Sequence, residues 1–198
     1  MSGADFKVVL LGSEDVGKTS LMKRYIQDRF QCRPHQNTIG AAFASRTIST
    51  RGRQFVMGIW DTAGSERYYA MSQLYYRDAK AAIVCFDLTE LVTFDRAKQW
   101  ITELRNHEED CKIYLCGTKK DVVDDGIKAP ALSHEKALQY AKGIGAVYME
   151  TSSKTGLNVG ELFQLIADEC VLPSIHNRDD SIKLRPSPNK NNACCLAS

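Results

Sequence analysis

Hydrophobic and polar positions change period several times along the chain, and each change marks an element. Lys7-Val8-Val9-Leu10-Leu11 is an apolar run of strand length, and Ser20 to Gln27 carries its apolar residues at helical spacing. That helix is expected to end near Phe30, because Gln31 to Asn37 is polar and interrupted by Pro34. Phe43 to Thr50 alternates as a half-exposed strand does, Arg51-Gly52-Arg53 turns the chain, and Gln54 to Trp60 returns as the second strand of a hairpin. Asp61-Thr62-Ala63-Gly64 then caps that strand. Ser65 to Arg77 has no clean period and reads as a loop with a short irregular helix. Ala81 to Phe86, closed by Asp87, and Ile113 to Cys116 are continuous apolar runs that suit strands covered on both faces. Between them Phe94, Ala97, Trp100, Ile101 and Leu104 share one helical face. Ser133 is placed to cap a helix with Ala137, Leu138 and Ala141 facing inward and Gly143 near its end. Ala146 to Glu150 is the last strand, and Val159, Leu162, Phe163, Ile166, Ala167 and Cys170 form the stripe of a final helix.

Strands alternating with helices predict an α/β fold, a doubly wound, mostly parallel six-stranded sheet with helices on both faces and its ligand at the carboxyl ends of the strands. From Pro173 the composition shifts to Asn, Ser, Pro and charge. The expected division is a domain over residues 1–172 and a flexible tail over 173–198.

Chemistry enters between the first strand and the first helix. Gly12-Ser13-Glu14-Asp15-Val16-Gly17-Lys18-Thr19 fits G-x-x-x-x-G-K-T in the strand–loop–helix setting of a phosphate-binding loop. Glycines let the backbone bend around a polyphosphate, and the positive end of the helix adds to the pull of the inward N–H groups. Lys18 would bridge the outer phosphates and the Thr19 hydroxyl would ligate Mg²⁺.

Composition narrows the picture further. A length of 198 residues with 43% hydrophobic and 25% charged residues suits one soluble domain with a good core. A net charge of +2 argues against broad nucleic-acid binding, since nothing supplies a dense basic face. No apolar run approaches the roughly 18 residues that span a bilayer, and the amino terminus has no basic-then-apolar signal pattern, so a cytoplasmic body is expected. Of seven cysteines, Cys85, Cys116 and Cys170 lie in apolar runs as free core thiols, whereas Cys194 and Cys195 stand at the tail's end. Cys195-Leu196-Ala197-Ser198 has the C-a-a-X form of a lipid acceptor, with Cys194 beside it as a second.

The phosphate loop, Asp61-Thr62-Ala63-Gly64, Thr118-Lys119-x-Asp121 and Ser152-Ser153-Lys154, in this order, resemble the small GTPases of the Ras superfamily, a form of the P-loop NTPase fold. The resemblance runs from residue 6 to about 172. Ile39 to Phe43, Gly58-Ile59-Trp60, Tyr75-Tyr76-Arg77 and the double-cysteine end are similar to the Rab branch, and the departures below are similar to its atypical, autophagy-associated subfamily. The resemblance implies that Asp15, Val16, Gly17, Lys18, Thr19 and Ser20 hold phosphate, that Thr19, Thr38 and Asp61 hold Mg²⁺, and that Gly64 contacts the third phosphate. It implies also that Phe30 neighbours the base, that Asp121 accepts the N–H groups of guanine, and that Thr118, Lys119, Ser152, Ser153 and Lys154 complete the base site. Lys18, Thr38, Gly64 and Ser65 are the implied catalytic positions. Loops over about residues 31–42 and 64–78 would be released on hydrolysis. Implied partners are guanine nucleotide, effectors, an exchange factor, an activating protein, an escort protein, a dissociation inhibitor and the cytoplasmic face of intracellular membranes through prenylated Cys194 and Cys195.

Several positions depart from the family. Ser65 stands where a glutamine usually positions the attacking water, so slow hydrolysis is expected. Glu14 replaces a small residue, Thr118 replaces asparagine, Ala42 replaces an acidic residue, and Phe30 and Thr38 are one residue further apart than usual. Three readings stay open on sequence: a Rab-type switch with weak GTPase activity, a GTP-binding interaction module with essentially no hydrolysis, and another phosphate-loop enzyme such as a nucleoside kinase or ATPase.

Overall fold

The computed structural model describes residues 3–31, 38–64 and 72–171. Six strands form one sheet in the order β2-β3-β1-β4-β5-β6, comprising β1 (Phe6–Leu11), β2 (Ala41–Thr50), β3 (Arg53–Thr62), β4 (Ala81–Asp87), β5 (Lys112–Thr118) and β6 (Val147–Glu150). Only β2, paired with β3 across the predicted hairpin, is antiparallel. The helices are α1 (Lys18–Gln27), α2 (Ser72–Tyr76), α3 (Leu91–His107), α4 (Lys120–Asp124), α5 (His134–Gly143) and α6 (Val159–Cys170).

Period-two alternation in β1 divides the core. Val8 and Leu10 face α1 and α6 with Leu21, Tyr25, Phe163 and Ile166, while Val9 and Leu11 face α3 and α5 with Phe94, Trp100, Leu104 and Ala141. Tyr25 and Phe163 stack with ring centroids 3.9 Å apart and join α1 to α6. Burying a ring such as Phe163 stabilises the fold by about 1.5–3 kcal/mol.

Most element bounds differ from expectation only at their ends, for identifiable reasons. Helix α1 stops at Gln27 rather than near Phe30, because Asp28 takes a left-handed φ of 50° and turns its N–H back to Arg24. Strand β3 runs on through Asp61 and Thr62, expected to cap it, because Asp61 pairs with Leu10 and Thr62 with Ala41, and β5 runs on through Thr118, expected in the binding loop, which pairs with Asp87. Asp121, expected in a loop, lies in the short helix α4. Ser133 does cap α5, accepting the Lys136 N–H. Cys85 and Cys116 are buried free thiols on paired strands, and Cys170 is half-buried. The tail over 173–198 lies outside the described residues.

Candidate nucleotide site

Between the end of β1 and the start of α1 the chain turns through backbone that side chains resist. Gly12, Asp15 and Gly17 have φ of 135°, 59° and 96°, and turns of this kind build concave rows of N–H groups that hold anions. A Cβ at Gly12 would stand 2.4 Å from the Cys85 carbonyl oxygen, so no larger residue fits there. Gly64, just past β3, is packed against the same loop: a Cβ on it would stand 2.3 Å from the Glu14 nitrogen. Val16 is anchored in the core, Ser20 lies in the first turn of α1, and Asp15 and Glu14 are exposed. Glu14 lies on the exposed rim of the loop, with its carboxylate within electrostatic reach of Lys18.

Lys18 is only 5% exposed, and its Nζ donates to the carbonyls of Gly12 (2.8 Å) and Ser13 (2.6 Å). Burial lowers its pKa, opposed by the carboxylates of Asp61, Glu14 and Asp15. Lys18 is thus a desolvated cation held by its own loop, available to an anion that offers better partners.

Beside it three oxygens converge. Thr19 Oγ1 donates to Asp61 Oδ2 at 2.6 Å and lies 3.0 Å from Thr38 Oγ1. Asp61 is fully buried, and its Oδ1 has no hydrogen-bond partner among the described residues. Burial raises the Asp61 pKa, while the Thr19 hydrogen bond and the charges of Lys18 and Lys23 pull it back. Hard oxygen donors beside a buried, unpartnered carboxylate oxygen fit a small, partly hydrated divalent cation, so these residues suit Mg²⁺.

The opposite wall is built from the ends of β5 and β6. Thr118 Oγ1 lies 2.6 Å from the Val16 carbonyl and 2.9 Å from that of Phe86, which ties the wall to the phosphate loop. Asp121 is nearly buried, accepts from Ser152 Oγ at 2.6 Å, and has Lys154 Nζ 3.7 Å from its Oδ2. Lys119, left-handed at φ 59°, places its Nζ 2.6 Å from Asp87 Oδ2. Burial pushes the Asp87 pKa up, but the hydrogen bonds from Lys119 and Thr89 outweigh it and hold the carboxyl below its ordinary value. Phe30 is exposed beyond the end of α1.

Two residues at this wall carry no sequence signal. Arg24 reaches from α1 to donate to the carbonyls of Ser153 (2.6 Å) and Lys154 (2.5 Å), and Asp87 receives Lys119. An arginine in a helix's last turn is ordinary, and Asp87 reads only as the polar stop of an apolar run. Ser65, Cys194, Cys195 and residues 32–37 and 65–71 of the two expected release loops lie outside the described residues. Phe43 packs on Trp60 with centroids 4.6 Å apart and is nonetheless 48% exposed, while Tyr75 is half-buried.

Comparison with known proteins agrees with this layout. Residues 7–172 match the Ras family. Ras-related protein Rab-24 of Dictyostelium discoideum is 44% identical over 165 residues, covering 83% of this chain and 80% of that protein. Ras-related protein RABF2b of Arabidopsis thaliana is 43% identical over 162 residues, 81% of this chain and 78% of the relative. GTP-binding protein YPT52 of Saccharomyces cerevisiae is 36% identical over 231 aligned positions, which take in 96% of this chain and 98% of that one. With the phosphate loop, the threonine–aspartate donor set and the paired strand-end loops in one sheet, the chain belongs to the Ras family and is a small GTPase of the Rab type.

Proposed function

We propose that this Rab is a membrane-anchored switch that binds GTP and GDP, recruits effectors in vesicle or autophagy-related traffic, and hydrolyses GTP slowly. The observation that carries the reading is Thr38. Its hydroxyl lies 3.0 Å from Thr19 and so beside Asp61, while the chain immediately after it presents Ile39, 86% exposed, and Phe43, 48% exposed. A residue that joins the metal donors is thereby covalently continuous with an apolar surface a partner could read.

Thr19, Thr38 and Asp61 would hold Mg²⁺, which would supply charge neutralisation to the phosphates. Lys18 exchanges its two loop carbonyls for phosphate oxygens, and the Gly64 amide and the Thr38 hydroxyl sense the third phosphate. Phe30 flanks the purine, Ser153 offers its backbone amide, and Asp121, held by Ser152 and Lys154, accepts the guanine N–H groups. Adenine leaves that carboxylate facing an acceptor, a mismatch of about 1–3 kcal/mol or more for a charged group. Cys194 and Cys195 supply two lipid attachment points, and two chains anchor stably where one is marginal.

Slow turnover follows from Ser65. Its hydroxyl sits on the β-carbon and cannot reach where a glutamine amide would orient water. In single-turnover assays with GTP, Ser65→Gln is expected to hydrolyse about tenfold faster than the natural chain. Equal rates would remove the basis for slow hydrolysis. Identifying the nucleotide on protein purified from cells tests the switch itself, with GTP and GDP expected and adenine nucleotides ruling it out.

A further inference from the structure

Two consecutive lysines follow β5, and the structure sends them in opposite directions. The left-handed φ of Lys119 turns the chain between them, so Lys119 reaches back to Asp87 at the end of β4. Lys120 reaches forward to Glu150 at the end of β6, with Nζ 2.7 Å from Oε2 and 3.4 Å from Asp124 Oδ1. Its backbone N–H also crosses, donating to the Thr151 carbonyl at 3.0 Å. Lys120 precedes Asp121 directly, and Glu150 stands two residues before Ser152, which holds Asp121.

The geometry points to Lys120 as a positioning residue for guanine nucleotide: paired with Glu150, it clamps the loop that carries Asp121 to the loop that carries Ser152, Ser153 and Lys154, and so sets how long the base is retained. The inference rests on the reading that these two loops hold guanine.

An isolated surface ion pair contributes little to stability. This pair differs because its carboxylate is only 12% exposed and already fixed: Glu150 Oε1 accepts from Tyr148 OH at 2.8 Å and lies 2.9 Å from His134 Nδ1. Lys120 therefore grips an anchored group rather than a mobile one. Burial pushes the Glu150 pKa up, and the hydrogen bonds from Lys120, His134 and Tyr148 outweigh it. Position 120 falls on the unspecified residue of Thr118-Lys119-x-Asp121, so the motif itself assigns it no role.

The test is the dissociation rate of a fluorescent methylanthraniloyl-GDP chased with excess GDP. Lys120→Met is expected to release it about fivefold faster, the effect of losing one charged hydrogen bond discounted for partial exposure. Lys120→Arg should restore the natural rate to within about twofold, which a loss of general packing would not allow. Glu150→Gln should match Lys120→Met, and the double variant should be no faster than either, as one shared interaction requires. If Lys120→Met does not fold, Glu150→Gln carries the same measurement. Release from these variants within about twofold of the natural chain, or effects that add in the double variant, would overturn the inference while leaving the guanine reading intact. A natural chain that takes up no GDP rejects both.

Discussion

At the floor of the site a single hydroxyl serves two partners. Thr118 Oγ1 has one proton and two buried carbonyls within reach, one in the phosphate loop at Val16 and one in β4 at Phe86. It keeps the bracing half of the role that the Rab resemblance gives to asparagine. Thr118→Val preserves the shape and removes the donor. Chemical denaturation is expected to show a loss of about 1–3 kcal/mol, with faster GDP release, because both buried carbonyls then lose the hydroxyl donor. Unchanged stability would mean that the hydroxyl braces nothing. The residues of the site divide by how far their partners lie along the chain. Lys18, Thr19, Asp61 and Asp121 were legible because each belongs to a short motif whose chemistry needs that residue at that spacing. Arg24 was not, since its partner Ser153 is 129 residues away and only the packing of α1 beside the last loop brings them together.

Elements were legible at their centres and misread at the ends that matter most. Apolar runs mark the middle of β3 and β5, but Asp61, Thr62 and Thr118 are polar and yet buried in the sheet, with Thr118 paired to Asp87, the residue expected to close β4. A reading that equates polarity with loops stops each strand too soon. The five residues of α4 carry no apolar period at all, and their helix depends on the turn at Lys119. Strand ends also make the fold sensitive to acid. Glu150 is held below the ordinary glutamate value of 4.5, so the folded state binds its proton less readily than the unfolded state does. Its contribution to stability is complete above that value and is lost as pH falls through the lowered one. Melting temperatures measured from pH 6 down to pH 3 are expected to fall less steeply for Glu150→Gln than for the natural chain; parallel curves would remove Glu150 from the account.

For the whole molecule, the alternation of strands and helices was enough to predict a doubly wound sheet, and the expected hairpin places β2 at an edge. The order of the central strands was not written in any local pattern, because it depends on which face each helix covers, as the split of β1 between the two core clusters shows. Among the described residues no helix is long and apolar enough to cross a membrane. The proposed reading places attachment on the terminal cysteines. In cell fractionation, replacing both Cys194 and Cys195 by serine is expected to move the protein from the membrane pellet to the supernatant, with single replacements intermediate. A double variant that still sediments with membranes would require another anchor.

The boundary between β1 and β4 divides the pocket's labour. On one side lie the phosphate loop, Asp61 and Thr38; on the other, Asp87, the Thr118 to Asp121 segment and the Glu150 to Lys154 segment. An outside protein that evicts the ligand need disturb only the first half, by pulling Thr38 from Thr19 or lifting Gly64 off the loop. Neither movement breaks the ties of the purine cradle, which run among its own three strands and back to Val16 and Arg24. Reloading then becomes a matter of supply, decided by whichever guanine nucleotide is more abundant nearby.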